Sequence, residues 1–120
     1  MKLVALRGAI TCDDDTKDEI HGKTKRVLTE LLDRNEVEHD DLVSVIFTAT
    51  GDLTADFPAA AARAIGLGDV PLLCARELDI EDGVARCIRI LVHCYSDRSR
   101  AGLHHVYLDG ARSLRDDLPE

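Results

Sequence analysis

The chain has 120 residues, 45% of them apolar and 32% charged. That is one domain's worth of soluble, core-forming sequence, expected to span 1–120 without a linker or repeat. Fifteen cations against 23 carboxylates give a net charge of −8, which argues against nucleic acid or an anionic membrane surface as partner.

Residues 2–7 (Lys-Leu-Val-Ala-Leu-Arg) read as a strand ending at the turn-prone Gly8. Arg7 interrupts any signal-peptide core and no apolar run approaches a membrane span, so a cytoplasmic protein is expected. Asp13-Asp14-Asp15 reads as a solvated cap, and Thr16 with Glu19 has capping-box spacing. Ile20, Val27, Leu28, Leu31 and Leu32 then fall on one face of a helix over about 16–34.

A buried strand is predicted over 42–49, rich in β-branched residues. A short helix follows over 58–65, with Pro58 at its first position and Gly66 at its end. Further strands are predicted over 70–75, 86–95 and 104–108, and the polar tail from about 110 is expected to be mobile. The order β-α-β-α-β-β-β gives an α+β fold: a five-stranded mixed sheet with one long and one short helix on one face. Strands 42–49 and 86–95 are apolar at both parities, so the other face also needs cover, and self-association is expected there.

Cys12, Cys74, Cys87 and Cys94 form no C-x-x-C pair and read as buried thiols. His104 and His105, adjacent in a strand, would point to opposite faces and could not share a metal; His21, His39 and His93 have no partner at ligand spacing. No phosphate-cradling loop or nucleophile elbow is present, and no cofactor or metal is expected. Four aromatics, Phe47, Phe57, Tyr95 and Tyr107, make no stacking platform.

The informative residue is arginine, 11 against four lysines. Arg89 lies inside the most apolar strand, with Cys87 and Leu91 on its own face. A guanidinium walled in by such neighbours stays charged and needs an anion, either a protein carboxylate or a ligand. Arg7 sits next to Gly8, where backbone could approach a bound group. Arginines, one tyrosine, one cysteine and one glutamate on or near strands suit a small polycarboxylate, or a reaction that needs only position and charge.

Several motifs now fall in order along the chain: Arg7-Gly8-Ala9-Ile10-Thr11, Thr48-Ala49-Thr50 with Asp52-Leu53, Phe57-Pro58-Ala59 with Arg63, and Val70-Pro71. Cys74 with Glu77, Cys87-Ile88-Arg89, His105-Val106-Tyr107-Leu108 and Leu114-Arg115 with Asp117-Leu118 complete the series. In this order and spacing the chain resembles, nearly end to end, the bacterial monofunctional chorismate mutases of the trimeric pseudo-α/β-barrel class. It departs from that pattern at Gly51, Ala60, Leu73 and Asp116.

The resemblance implies a homotrimer with sites at subunit interfaces, a dicarboxylate substrate (chorismate, giving prephenate) and no cofactor. It implies Arg89 as the catalytic residue at the ether oxygen, with Arg7 and Tyr107 on carboxylates. Cys74 and Glu77 would face the ring hydroxyl, and the segment Leu73, Cys74, Ala75, Arg76, Glu77 would offer backbone groups. Phe57, Arg63, Leu114 and Arg115 would come from the neighbouring subunit. A non-catalytic trimer that binds a small carboxylate, or an imine-deaminase-like protein, is the alternative.

Overall fold

Alternation of apolar residues along five strands decides the architecture, and the computed structural model describes it over residues 1–115; residues 116–120 and the side chain of Arg115 lie outside the described residues. The strands are β1 (Lys2–Thr11), β2 (Leu42–Ala49), β3 (Leu72–Arg76), β4 (Cys87–Ser96) and β5 (Val106–Leu108). The helices are α1 (Lys17–Arg34) and α2 (Ala59–Ala64), with short 3-10 turns at His39–Asp41, Arg100–Gly102 and Asp109–Arg115.

The sheet runs β3-β2-β4-β1-β5. Central β4 is antiparallel to β1 and β2, while β3 and β5 pair in parallel on β2 and β1. The expected mixed five-stranded sheet is therefore present, with α1 and α2 packed together over one face.

That face is the core. Leu6 and Ile10 of β1, Val45 and Phe47 of β2, and Ile88, Ile90 and Val92 of β4 meet Ile20, Val27, Leu28 and Leu31 of α1, nearly all fully buried. Each such side chain contributes roughly 1.5–3 kcal/mol of burial. Thr16 caps α1 as its spacing predicts, its Oγ1 accepting from the Glu19 N–H at 3.2 Å. The reciprocal half of the box differs: the Glu19 carboxylate accepts from the Asp13 N–H instead.

Three expectations need correction. Gly8 does not end its strand; β1 continues to Thr11. A Cβ there would come within 2.6 Å of Leu31 Cδ1, so the glycine admits the helix and not a ligand. Asp15 is not merely solvated. Its carboxylate accepts from the Thr54 N–H (2.9 Å), the Thr54 hydroxyl (2.8 Å) and the Ala55 N–H (3.0 Å), tying the loop before Phe57 to the start of α1.

The last strand begins at Val106, leaving His104 and His105 outside it. The segment from Asp109 to Arg115 is a 3-10 turn. Asp109 anchors that turn through Lys23 (2.6 Å) and Arg26 (3.2 Å) of α1, and the Gly110 N–H donates to Thr11 Oγ1 (2.8 Å).

Candidate active site

The opposite face of the sheet carries the odd-numbered residues of β1 and β4. Register aligns them with their neighbours. Tyr107 of β5 pairs with Ala9 of β1, Ala9 with Arg89 of β4, Arg89 with Thr48 of β2, and Thr48 with Ala75 of β3. One row therefore crosses the whole sheet. In the next row Arg7 pairs with Leu91, Leu91 with Ile46, and Ile46 with Leu73. Arg7 is thus diagonal to Arg89, about 7–8 Å away by sheet geometry. Tyr107 stands two strand spacings from Arg89, roughly 10 Å.

The residues between them are short. Ala9 and Thr48 flank Arg89 across the strands; Ala9 is fully buried, packed with Cys87 and Ala111, and Thr48 is half-buried. The expectation that apolar neighbours wall it in is corrected here. In the single chain its side chain is 44% exposed, and its Nε pairs with Glu77 Oε2 at 3.2 Å. The cause is that alternation supplies neighbours along the strand, while only a covering layer could close the face above.

Glu77 therefore fills part of the anion requirement. It is held by its own N–H donating to Ala49 O (2.9 Å) and by the Thr48 hydroxyl donating to Oε2 (2.6 Å). It engages only the Nε edge. The four N–H groups on the two Nη atoms of Arg89 have no hydrogen-bond partner among the described residues. Two arginines with one carboxylate leave net positive charge at this end of the face.

Cys87 lies beside Arg89 on the same face and is buried with Ala9 and Ala111. Burial pushes its thiol pKa up, against the pull of the Arg89 charge. Cys12 is pushed up to about 12, mainly by burial. Such thiols stay protonated and are not poised as nucleophiles.

The remaining expected residues divide. Tyr107 packs on the Ala9, Cys87 and Ala111 cluster, where Leu114 of the same chain also packs. Leu73 is 60% exposed, on the face of Arg89. Cys74 pairs with Phe47 and packs toward the helix side. There it lines a cavity of about 480 Å³ at the β3 edge, together with Ala49, Phe57, Ala75 and Arg76. Arg76 lies over Gly51, where a Cβ would collide with its guanidinium.

Phe57 is 64% exposed beside that cavity, and Arg63 is exposed on α2, in the helix layer. The single chain does not bring Arg63 to the row. The role expected of the Arg115 side chain, and the Asp117-Leu118 motif, fall outside the described residues. Sequence reasoning named Thr48 only within a motif and gave no role to its hydroxyl, which donates to Glu77. The β-branched run hid it among core residues, and only register reveals it opposite Arg89.

Two arginines in adjacent rows of one sheet face, beside a Cys87 thiol held protonated by burial, form a site suited to holding an anion by charge. Comparison with known proteins makes the class specific. The family described as "Chorismate mutase type I" matches residues 3–118. Chorismate mutase AroH of Thermus thermophilus is 45% identical over 114 residues, covering 94% of this chain and 93% of that protein. Chorismate mutase AroH of Bacillus subtilis (strain 168) is 38% identical over 119 residues, covering 98% and 94%. A solved chorismate mutase from Clostridium thermocellum superposes with a TM-score of 0.90 at 43% identity, covering 92% of this chain and 98% of that one. This chain belongs to the type I chorismate mutase family.

Proposed function

We infer that this chorismate mutase converts chorismate to prephenate by restraint and electrostatics at the row around Arg89. The reaction is a pericyclic rearrangement. The ether C–O bond breaks as a C–C bond forms, and no proton or covalent enzyme intermediate is needed. The enzyme therefore has two tasks: to hold the flexible diacid in the compact form where the carbons meet, and to place fixed positive charge at the ether oxygen.

The observation that carries this reading is the set of unengaged Nη groups of Arg89, held in place by Glu77 through Nε. Arg89 then serves the ether oxygen and a carboxylate. Arg7 and Tyr107 take carboxylate oxygens. Glu77 faces the ring hydroxyl; the Cys74 side chain points to the helix side of the sheet, so the 73–77 segment contributes there through its backbone groups. The resulting prephenate feeds aromatic amino-acid biosynthesis, the role of a cytoplasmic enzyme.

The assembly we propose is a homotrimer. Leu3 and Tyr95 are exposed on the Arg89 face, as is Leu73, with Ile46 and Leu91 half-buried between them. An apolar surface of this kind beside a charged site fits association. A neighbouring copy would then bring Phe57, Arg63 and Arg115 to close the site, while Leu114 packs beside Tyr107 of its own chain. With a net charge of −8, long-range steering of a dianion is adverse. The arginines must act locally, within the ~8–10 Å screening length.

Two measurements test this together: loss of chorismate absorbance with purified protein, and its mass by light scattering. The expected result is rapid decay from a species three times the 13.2 kDa chain mass. Decay at the uncatalysed rate by folded trimer overturns the activity and favours a carboxylate-binding role. A catalytically active monomer overturns the interface site.

A further inference from the structure

Arg7 is anchored by an unusual bond. It lies where β1 passes the lower end of β5, and the β1–β5 ladder covers only Gly8, Ala9 and Ile10. One residue below that ladder, the Arg7 N–H donates to Nδ1 of His105 at 3.0 Å. A side chain 98 positions away in sequence thus takes the place of a ladder carbonyl.

The chemistry of the bond fixes the state of the ring. A backbone N–H can only donate, so Nδ1 must present its lone pair, and the neutral ring carries its proton on Nε2. Protonating the imidazole puts a second N–H where the acceptor was. Among the described residues, the charged and titratable groups that share the cavity of about 670 Å³ with His105 are Lys2 and Arg7 of β1, His93 of β4 and Arg100.

We propose that neutral His105 is a positioning residue for Arg7: it fixes the backbone from which that guanidinium is aimed, and releases it when protonated. The inference rests on the reading of Arg7 as a ligand of a substrate carboxylate. A side chain aimed by its own Cα–Cβ bond moves with that backbone, and displacements near 1 Å weaken productive binding.

The test is steady-state kinetics on chorismate from pH 8 to pH 5. The enzymes are wild type, His105→Asn, His105→Ala, Arg7→Ala and the His105→Ala/Arg7→Ala pair. Asparagine places an oxygen acceptor where Nδ1 stood but does not titrate. For wild type we expect KM to rise by about three- to tenfold on acidification, the scale of one hydrogen bond. His105→Asn should hold KM near the pH 8 wild-type value throughout. His105→Ala should show the raised KM at every pH. The paired variant should be no worse than Arg7→Ala, because coupled residues are not additive.

A wild-type pH response that persists in His105→Asn overturns the proposal. If His105→Ala does not fold, that pH profile alone decides. An unchanged KM in Arg7→Ala overturns the carboxylate role of Arg7. A raised KM in Arg7→Ala, with no effect of His105→Ala, overturns only the role of His105.

Discussion

The two faces of this sheet are built from the same strands and do opposite work. On the helix side, Phe47, Ile88, Ile90 and Val92 are closed beneath α1. On the other side, one residue along each strand, Arg89 and Leu73 remain open. Side-chain alternation lets a single β4 hold the core with its even positions and present charge with its odd ones. A change on one face should therefore alter stability while sparing chemistry, and a change on the other should do the reverse.

The largest effect should come from Phe47→Ala, which empties the centre of the closed face. The expected loss is about 3–5 kcal/mol of folding stability, read by urea denaturation. The fraction still folded should keep its kcat. Loss of kcat without loss of stability would break the division of labour.

Arg89→Lys should mirror it. Lysine keeps the charge but loses the planar fork. By analogy with removal of an oxyanion donor, kcat should fall by about 100- to 1,000-fold, corresponding to ~2.7–4 kcal/mol of transition-state stabilisation. The melting temperature should stay within a few degrees. A variant that keeps wild-type turnover contradicts the role given to Arg89.

Leu91→Asp sharpens the comparison on the open face. Leu91 is half-buried and faces outward in the Arg7 row. A carboxylate there should shift the light-scattering mass from trimer toward monomer while far-UV dichroism is preserved. An intact trimer would place the interface elsewhere.

The smallest effect concerns acid. Asp109 is lowered from its ordinary 3.8, first by the hydrogen bond from Lys23. A carboxyl depressed on folding adds stability above its unfolded pKa, lost as pH falls through the lower folded value. Asp109→Asn should therefore be less stable than wild type near neutrality, and the two should converge as pH falls through the depressed folded-state value. A constant gap across that window would show that the ion pair contributes nothing.

Much of this was legible in the chain. The α1 stripe of Ile20, Val27, Leu28 and Leu31 and its Thr16 cap are local patterns, and local patterns survive folding. So are the five strands, whose ends alone shifted. The arginine in β4 stood out against its apolar strand, although the burial expected of it is not found in the single chain. Motif order carried the family, because spacing along a whole chain is hard to reproduce by chance.

What the chain could not disclose was pairing. That Tyr107, Ala9, Arg89, Thr48 and Ala75 form one row depends on the β3-β2-β4-β1-β5 order and its register. The tie from His105 to Arg7, and from Asp15 to the Phe57 loop, likewise join residues far apart in sequence. So does the packing that reserves Gly8 for Leu31. The amino-acid order set periodicity, caps and the presence of cations, since these depend on neighbours along the chain. Which cation faces which acid was decided only when distant strands came side by side, because hydrogen bonds and ion pairs act across space within a few ångströms and carry no mark in the local sequence.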